Sequence, residues 1–177
     1  MAGELRSAIV VAFPIPAGIE RIRREHVPVA NLGVPPHVTI LAPFMRAGAL
    51  DGRVRDRLAA IAGSERAFEV TYRRLGRFPD ALYLVPEPGR PFGRLVGAVV
   101  EAFPGYPPYG EPSFRVEDVV PHLTIAIAPA GGGSPMDLLE DRSGRSLPFV
   151  RRARHMTVLT ERDDGRWRMR WRLPLTP

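Results

Sequence analysis

Two segments of the chain share one frame, VPPHVTILAP at residues 34–43 and VVPHLTIAIAP at 119–129. His37 and His122 stand 85 positions apart. Each follows a proline, each is followed by an apolar residue, Thr and Ile, and each segment closes on Ala-Pro. A strand-like motif that returns once in each half constrains the fold strongly, because it calls for two similar units that each contain it. In an extended strand, side chains at i and i+2 point to one face. His37 therefore shares a face with Thr39, while Val38 and Ile40 take the other. In the second copy His122, Thr124, Ala126 and Ala128 share one face, and Leu123, Ile125 and Ile127 the other. The apolar faces ask to be covered by helices. The faces carrying His and Thr, lined with small alanines, leave room for a groove.

The rest of the chain alternates in the same manner. SAIVVAF (7–13) reads as a buried strand ended by Pro14. Residues 17–29 carry Ile19 and Ile22 among charges at helical spacing. Residues 51–63 place Val54, Leu58 and Ile61 on a helix stripe, with Asp51 as N-cap and Gly63 as the C-terminal stop. AFEVTYRRL alternates as a strand with one wet face, and ALYLVP follows it after the turn FPD. Residues 91–103 predict a helix with Pro91 in its first turn, and 104–113 a proline-rich loop. After the second motif strand comes GGGSPMDLLEDRSGRS, a loop with a short helix starting near Ser134. The tail from His155 holds two strand-like runs around Asp-Asp-Gly, a hairpin signal. No linker separates the halves, so residues 1–177 read as one α/β domain of two similar lobes, with the H-x-T strands 37–39 and 122–124 one in each.

Two imidazoles and two hydroxyls on opposite sides of one cleft suit phosphodiester cleavage. Displacement at phosphorus is in line, so a base on one side takes a proton from the attacking oxygen and an acid on the other protonates the leaving oxygen. With an ordinary pKa near 6.5, histidine performs either task near neutral pH. Each threonine hydroxyl can donate to a non-bridging phosphate oxygen. A single H-x-T strand is better explained as a histidine bonded to backbone in a core; it is the repetition, with its shared prolines, that favours a paired site. The expected catalytic residues are thus His37, His122, Thr39 and Thr124. No metal-ligand spacing is visible, and no metal or other cofactor is expected.

Composition narrows the classes further. With 177 residues the chain is long enough for a real core and contains no cysteine, which excludes disulfides, thiolate nucleophiles and cysteine-ligated zinc. The net charge of +6 favours phosphate-bearing partners. However, all 25 basic residues are arginine, a bias that a GC-rich genome also produces. The run AIVVAF is too short for a signal-peptide core or a membrane span. A cytoplasmic monomer without membrane partners is the expectation.

The sequence resembles the 2H phosphoesterase superfamily, in its branch of 2′-5′ RNA ligases and RNA 2′,3′-cyclic phosphodiesterases, over most of its length. PPHVTILAPF is similar to the first family motif and PHLTIAIAP to the second. YPPYGEPSFRVEDVVPHLTIA is similar to the lead-in of the second motif, and DGRWRMRWRLPL to the closing hairpin. The resemblance implies an α+β fold with two antiparallel sheets facing a central groove and helices outside. It also implies metal-independent hydrolysis of 2′,3′-cyclic phosphates or 2′-5′ linkages on RNA ends or nucleotides, with 2′-5′ ligation as the reverse reaction. It assigns His122 as base and His37 as acid; nothing in the residues themselves separates them. Two other readings stay open, a non-catalytic RNA- or nucleotide-binding module and a hydrolase of a non-RNA cyclic phosphate.

Lesser candidates remain. HMTV at 155–158 is a third H-x-T, but it lacks the proline and reads as a structural strand, with contact to substrate phosphate as the alternative for His155. His26, beside Arg23 and Arg24, reads as part of a solvated helix face. Phe13, at the end of the first strand, and Tyr109, on the loop before the second motif, are candidates for stacking on a base; Tyr83 is a weaker one.

Overall fold

The computed structural model describes residues 5–129 and 135–177. Its elements run β1 (Ser7–Ala12), α1 (Ala17–His26), β2 (His37–Leu41), α2 (Gly52–Ser64), β3 (Phe68–Phe78), β4 (Ala81–Glu87), α3 (Arg90–Ala102), β5 (Leu123–Ile127), α4 (Met136–Gly144), β6 (Phe149–Ala153), β7 (His155–Glu161) and β8 (Trp167–Pro174). They form two four-stranded sheets of order β2-β1-β7-β8 and β5-β4-β3-β6. All strand pairings are antiparallel. Each motif strand is thus the edge of its own sheet, and β2 lies against β5 where the two sheets meet.

The helices cross between the halves. Helix α1, which follows β1, packs on β5 of the other sheet, while α3, which follows β4, packs on β2. The cause lies in the apolar faces of the motif strands. Val38 and Ile40 of β2, and Leu123 and Ile125 of β5, are at most 2% exposed and belong to one core that also takes Ile19 and Ile22 of α1 and Phe92, Leu95 and Val99 of α3. Burial of each such side chain is worth about 1.5–3 kcal/mol.

Local signals act as expected at most ends. The Asp51 carboxylate accepts from the Val54 amide at 2.9 Å and caps α2. Gly165 takes φ 74° in the turn joining β7 to β8. Gly63, by contrast, lies inside the last turn of α2, and Glu65 in extended conformation ends the helix. Helix α4 begins at Met136; Ser134 lies outside the described residues. Strand β6 is an addition to the sequence reading, since FVRRA carries two arginines in five residues and owes its extended form to pairing with β3.

The alternation of the second motif strand is broken. Between the pairs Tyr83–Thr124 and Leu82–Ala126, β5 holds one residue more than β4. Such a bulge turns the following residues over. Ala126 is therefore buried in the core, and Ile127 is exposed beside His122, the reverse of their expected faces.

Candidate active site

The two histidines are held in the same way. His37 Nδ1 lies 2.8 Å from the Pro35 carbonyl oxygen, and His122 Nδ1 lies 2.7 Å from the Val120 carbonyl oxygen. A carbonyl only accepts, so in both rings Nδ1 carries the hydrogen and Nε2 is left for chemistry. The intervening prolines explain the shared geometry. Pro36 and Pro121 bias the residue before them toward extended backbone, and that residue's carbonyl meets the ring two positions on. The proline in the motif thus sets a tautomer.

Burial pushes the His37 imidazole down to about 4; the bond to Pro35 opposes this, while the charges of Arg23 and His122 add to it. His122 is also lowered, chiefly by burial and against the bond to Val120. A proton on His122 thus disfavours one on His37, so the two rings lie within electrostatic reach of one another. Both are neutral in the empty site near pH 7.

Behind each histidine stands a supporting group that the sequence did not mark. Arg23 is 2% exposed, and its guanidinium donates to the carbonyls of Val34 at 2.7 Å and Pro35 at 3.0 Å. It thereby fixes the oxygen that orients His37. The helix face around it is consequently not uniformly solvated, although His26 itself is half-buried at its edge. His122 is packed edge-on against Phe78, ring centres 5.0 Å apart, and Tyr83 at 5.5 Å; those two rings stack at 4.5 Å. No periodicity singles out either arrangement, because the first depends on carbonyls of a distant loop and the second on pairing across strands.

The threonines sit beside their histidines. His37 pairs across β2 and β1 with Ala12, and Thr39 with Val10. Thr124 pairs with Tyr83 and lines, with His122, Asp118, Tyr109, Phe114 and Ile127, a cavity of about 480 Å³. Tyr109 also lines a smaller recess with Thr39. It is 43% exposed, edge-on to Phe114, and holds φ 57°, a left-handed conformation that a non-glycine residue rarely adopts. Phe13 is different: it is 2% exposed and packs edge-on to Tyr72 and Phe92. Ala12 faces His37's side of the sheet, so alternation turns Phe13 into the core, where it offers no face to a base. Among the described residues no group of three or more His, Asp or Glu side chains is placed to hold a metal ion, and no helix is long and apolar enough to cross a membrane.

No curated protein matches the chain by sequence. Solved structures do match in fold. Apo LigT of E. coli is 18% identical with a TM-score of 0.52, over 97% of this chain and 98% of that one. LigT of E. coli complexed with 3′-AMP is 17% identical with a TM-score of 0.53, over 98% and 99%. A phosphoesterase is 16% identical with a TM-score of 0.52, over 97% and 99%. The model of the 2′-5′ RNA ligase superfamily matches residues 11–165, a span that holds both histidine motifs and the whole of the sheet β5-β4-β3-β6, so the chain belongs to that superfamily, within the 2H phosphoesterases.

Proposed function

We propose that this protein hydrolyses the 2′,3′-cyclic phosphate of RNA ends or nucleotides by metal-independent acid–base catalysis. The observation that carries the proposal is the matched presentation of two imidazoles, each with Nδ1 tied to a backbone carbonyl and Nε2 free. Water attacks phosphorus as His122 Nε2 takes its proton, and a P–O bond to the ribose breaks as His37 Nε2–H protonates the departing oxygen. Thr39 and Thr124 donate to the non-bridging oxygens. The assignment of base and acid follows the family. Since His37 is neutral in the empty site, it takes up its proton as the anionic phosphate arrives, whose charge offsets the burial and the Arg23 effect. Tyr109 offers a face for the base. With a ribose hydroxyl in place of water as the nucleophile, the same ring opening forms a 2′-5′ linkage. That LigT has been crystallised with ATP and with 3′-AMP accords with a nucleotide substrate here.

The test is a substrate panel in excess chelator: cyclic mononucleotides, a short RNA with a 2′,3′-cyclic end, a 2′-5′ dinucleotide, and ADP-ribose 1″,2″-cyclic phosphate. Hydrolysis of a cyclic ribose phosphate is expected to persist under chelation. Activity lost in chelator and restored by zinc or manganese would replace this scheme with metal-activated water.

A further inference from the structure

The third H-x-T, His155-Met156-Thr157, lies on the same sheet as the first and in step with it. Thr39 pairs with Val10 on β1, Val10 pairs with Thr157 on β7, and Thr157 pairs with Arg172 on β8. Directly paired residues share a sheet face, so Thr39, Val10, Thr157 and Arg172 form one row. Strands β2 and β7 both run antiparallel to β1 and hence parallel to each other. Two residues back along each strand, His37 and His155 stand on the same face in the next row, with Ala12 between them. Adjacent strands lie ~4.8 Å apart, so the two H-x-T pairs are displaced by about 10 Å across the sheet. The space above Thr157 is a cavity of about 520 Å³ lined by Arg152, Arg154, His155, Thr157 and Arg172, and bounded on the His37 side by Ala12 and Pro35. Among the described residues, no carboxylate lines it. Among the described residues, no acidic side chain pairs with Arg152, Arg154 or Arg172. This differs from Arg6, Arg77 and Arg94, each of which meets a glutamate. The His155 imidazole is held below its ordinary value by burial and then by Arg172 and Arg154, so these three side chains share one volume.

We infer that this cavity is a second phosphate subsite, one strand pair away from the reacting phosphate. It takes the phosphate on the 5′ side of the same nucleoside, in an RNA strand the next diester, at its near end, where Ala12 and Pro35 adjoin His37. The inference rests on the hydrolytic reading above for the place of the first phosphate. The arginines are suited to the role because guanidinium groups without an internal acid partner present forked donors to phosphate oxygens. The Thr157 hydroxyl and the His155 ring complete a cradle whose rigid part is the sheet. The arrangement favours a strand end over an isolated nucleoside cyclic phosphate.

The experiment measures binding of three non-reacting products to the wild-type protein and to Arg154→Gln/Arg172→Gln, by calorimetry at two salt concentrations. The products are a nucleoside 3′-monophosphate, the corresponding 3′,5′-bisphosphate, and a dinucleotide ending in a 3′-phosphate. The wild type is expected to bind the bisphosphate and the dinucleotide about tenfold or more tighter than the monophosphate, as a pair of charge-assisted contacts would give. In the double variant that ratio falls toward one, and the salt slope for the two-phosphate ligands drops by about one to two. Arg154→Lys/Arg172→Lys restores part of the ratio. A wild-type ratio near one would overturn the subsite, as would a loss in the variant that is equal for all three ligands. A dinucleotide binding more weakly than the bisphosphate would overturn the assignment to a strand. An inactive wild type with the ratio intact would remove the proposed reaction and leave the subsite, whereas an active wild type with a ratio near one does the opposite.

Discussion

At the scale of the residue, what distinguishes His37 and His122 from other half-buried histidines is a directed bond. A neutral imidazole with its proton fixed on Nδ1 has one remaining lone pair, and the position of that lone pair is set in each ring by one backbone carbonyl. General acid–base help is typically worth about 10²–10⁴-fold per group. His37→Ala and His122→Ala are each expected to lower kcat by that order. The double variant is expected to lose far less than the product of the two, because in the proposed mechanism both rings serve one transition state. Steady-state kinetics of the three variants measures this. Full activity without either ring on every substrate would sink the mechanism. Much of this was legible in the sequence, since an exact repeat of Pro-His-x-Thr is a local signal. Arg23 was not, because its burial is set by the Val34 and Pro35 carbonyls on another segment, and charge at helical spacing reads as solvated. Phe13 was misread because a strand end was taken to point toward the groove, whereas the parity set by Ala12 and His37 points it into the core.

At the scale of the element, the second motif strand shows why face assignments fail past a bulge. The two-residue period held for Leu123, Thr124 and Ile125, then slipped, and Ala126 and Ile127 exchanged sides. No residue type at this point announces the extra residue, because it reflects how β5 accommodates β4. Strand β3, on the other side of β4, supplies a second case. Gly76 pairs with Tyr83, and a Cβ at position 76 would come within 2.5 Å of the Tyr83 ring. Only glycine lets that ring lie across β3, stacked on Phe78 and edge-on to His122. In Gly76→Ala the Tyr83 ring must move, and His122 loses one of the two aromatic walls that orient it. A misplacement of a catalytic group by about an ångström costs on the order of 10²-fold. The expected outcome is a fall in kcat of ten- to a hundredfold with KM little altered, read by kinetics beside a circular dichroism spectrum that retains the sheet signal. Unchanged kcat would show that Tyr83 does not position His122.

At the scale of the whole molecule, the crossing of α1 onto β5 and of α3 onto β2 joins both motif strands to one core, so one unfolding transition is expected. Its free energy should carry the signature of His37. In the folded protein this ring is lowered to about 4, first by burial, while in the unfolded chain it titrates near 6.5. Between those values the unfolded chain binds a proton that the folded protein does not, so stability falls as pH falls from about 6.5 to about 4 and levels below that. The difference corresponds to roughly 3 kcal/mol at most. His122 and His155, also lowered, act in the same direction. Glu161, lowered by its bond to Arg6, adds a loss that begins only as carboxylates start to protonate, toward the lower end of the window. Denaturant unfolding of wild type and His37→Gln at pH 7.5, 6.5, 5.5 and 4.5 isolates the His37 share. The variant's stability should depend less steeply on pH, so the two curves converge as pH falls. Saturating 3′-monophosphate should flatten the wild-type curve, because a bound anion raises the folded-state pKa and returns the proton to the native side. Curves that stay parallel from pH 7.5 to 4.5 would show that His37 is not held neutral by its surroundings, and the requirement that substrate bring its proton would then fall.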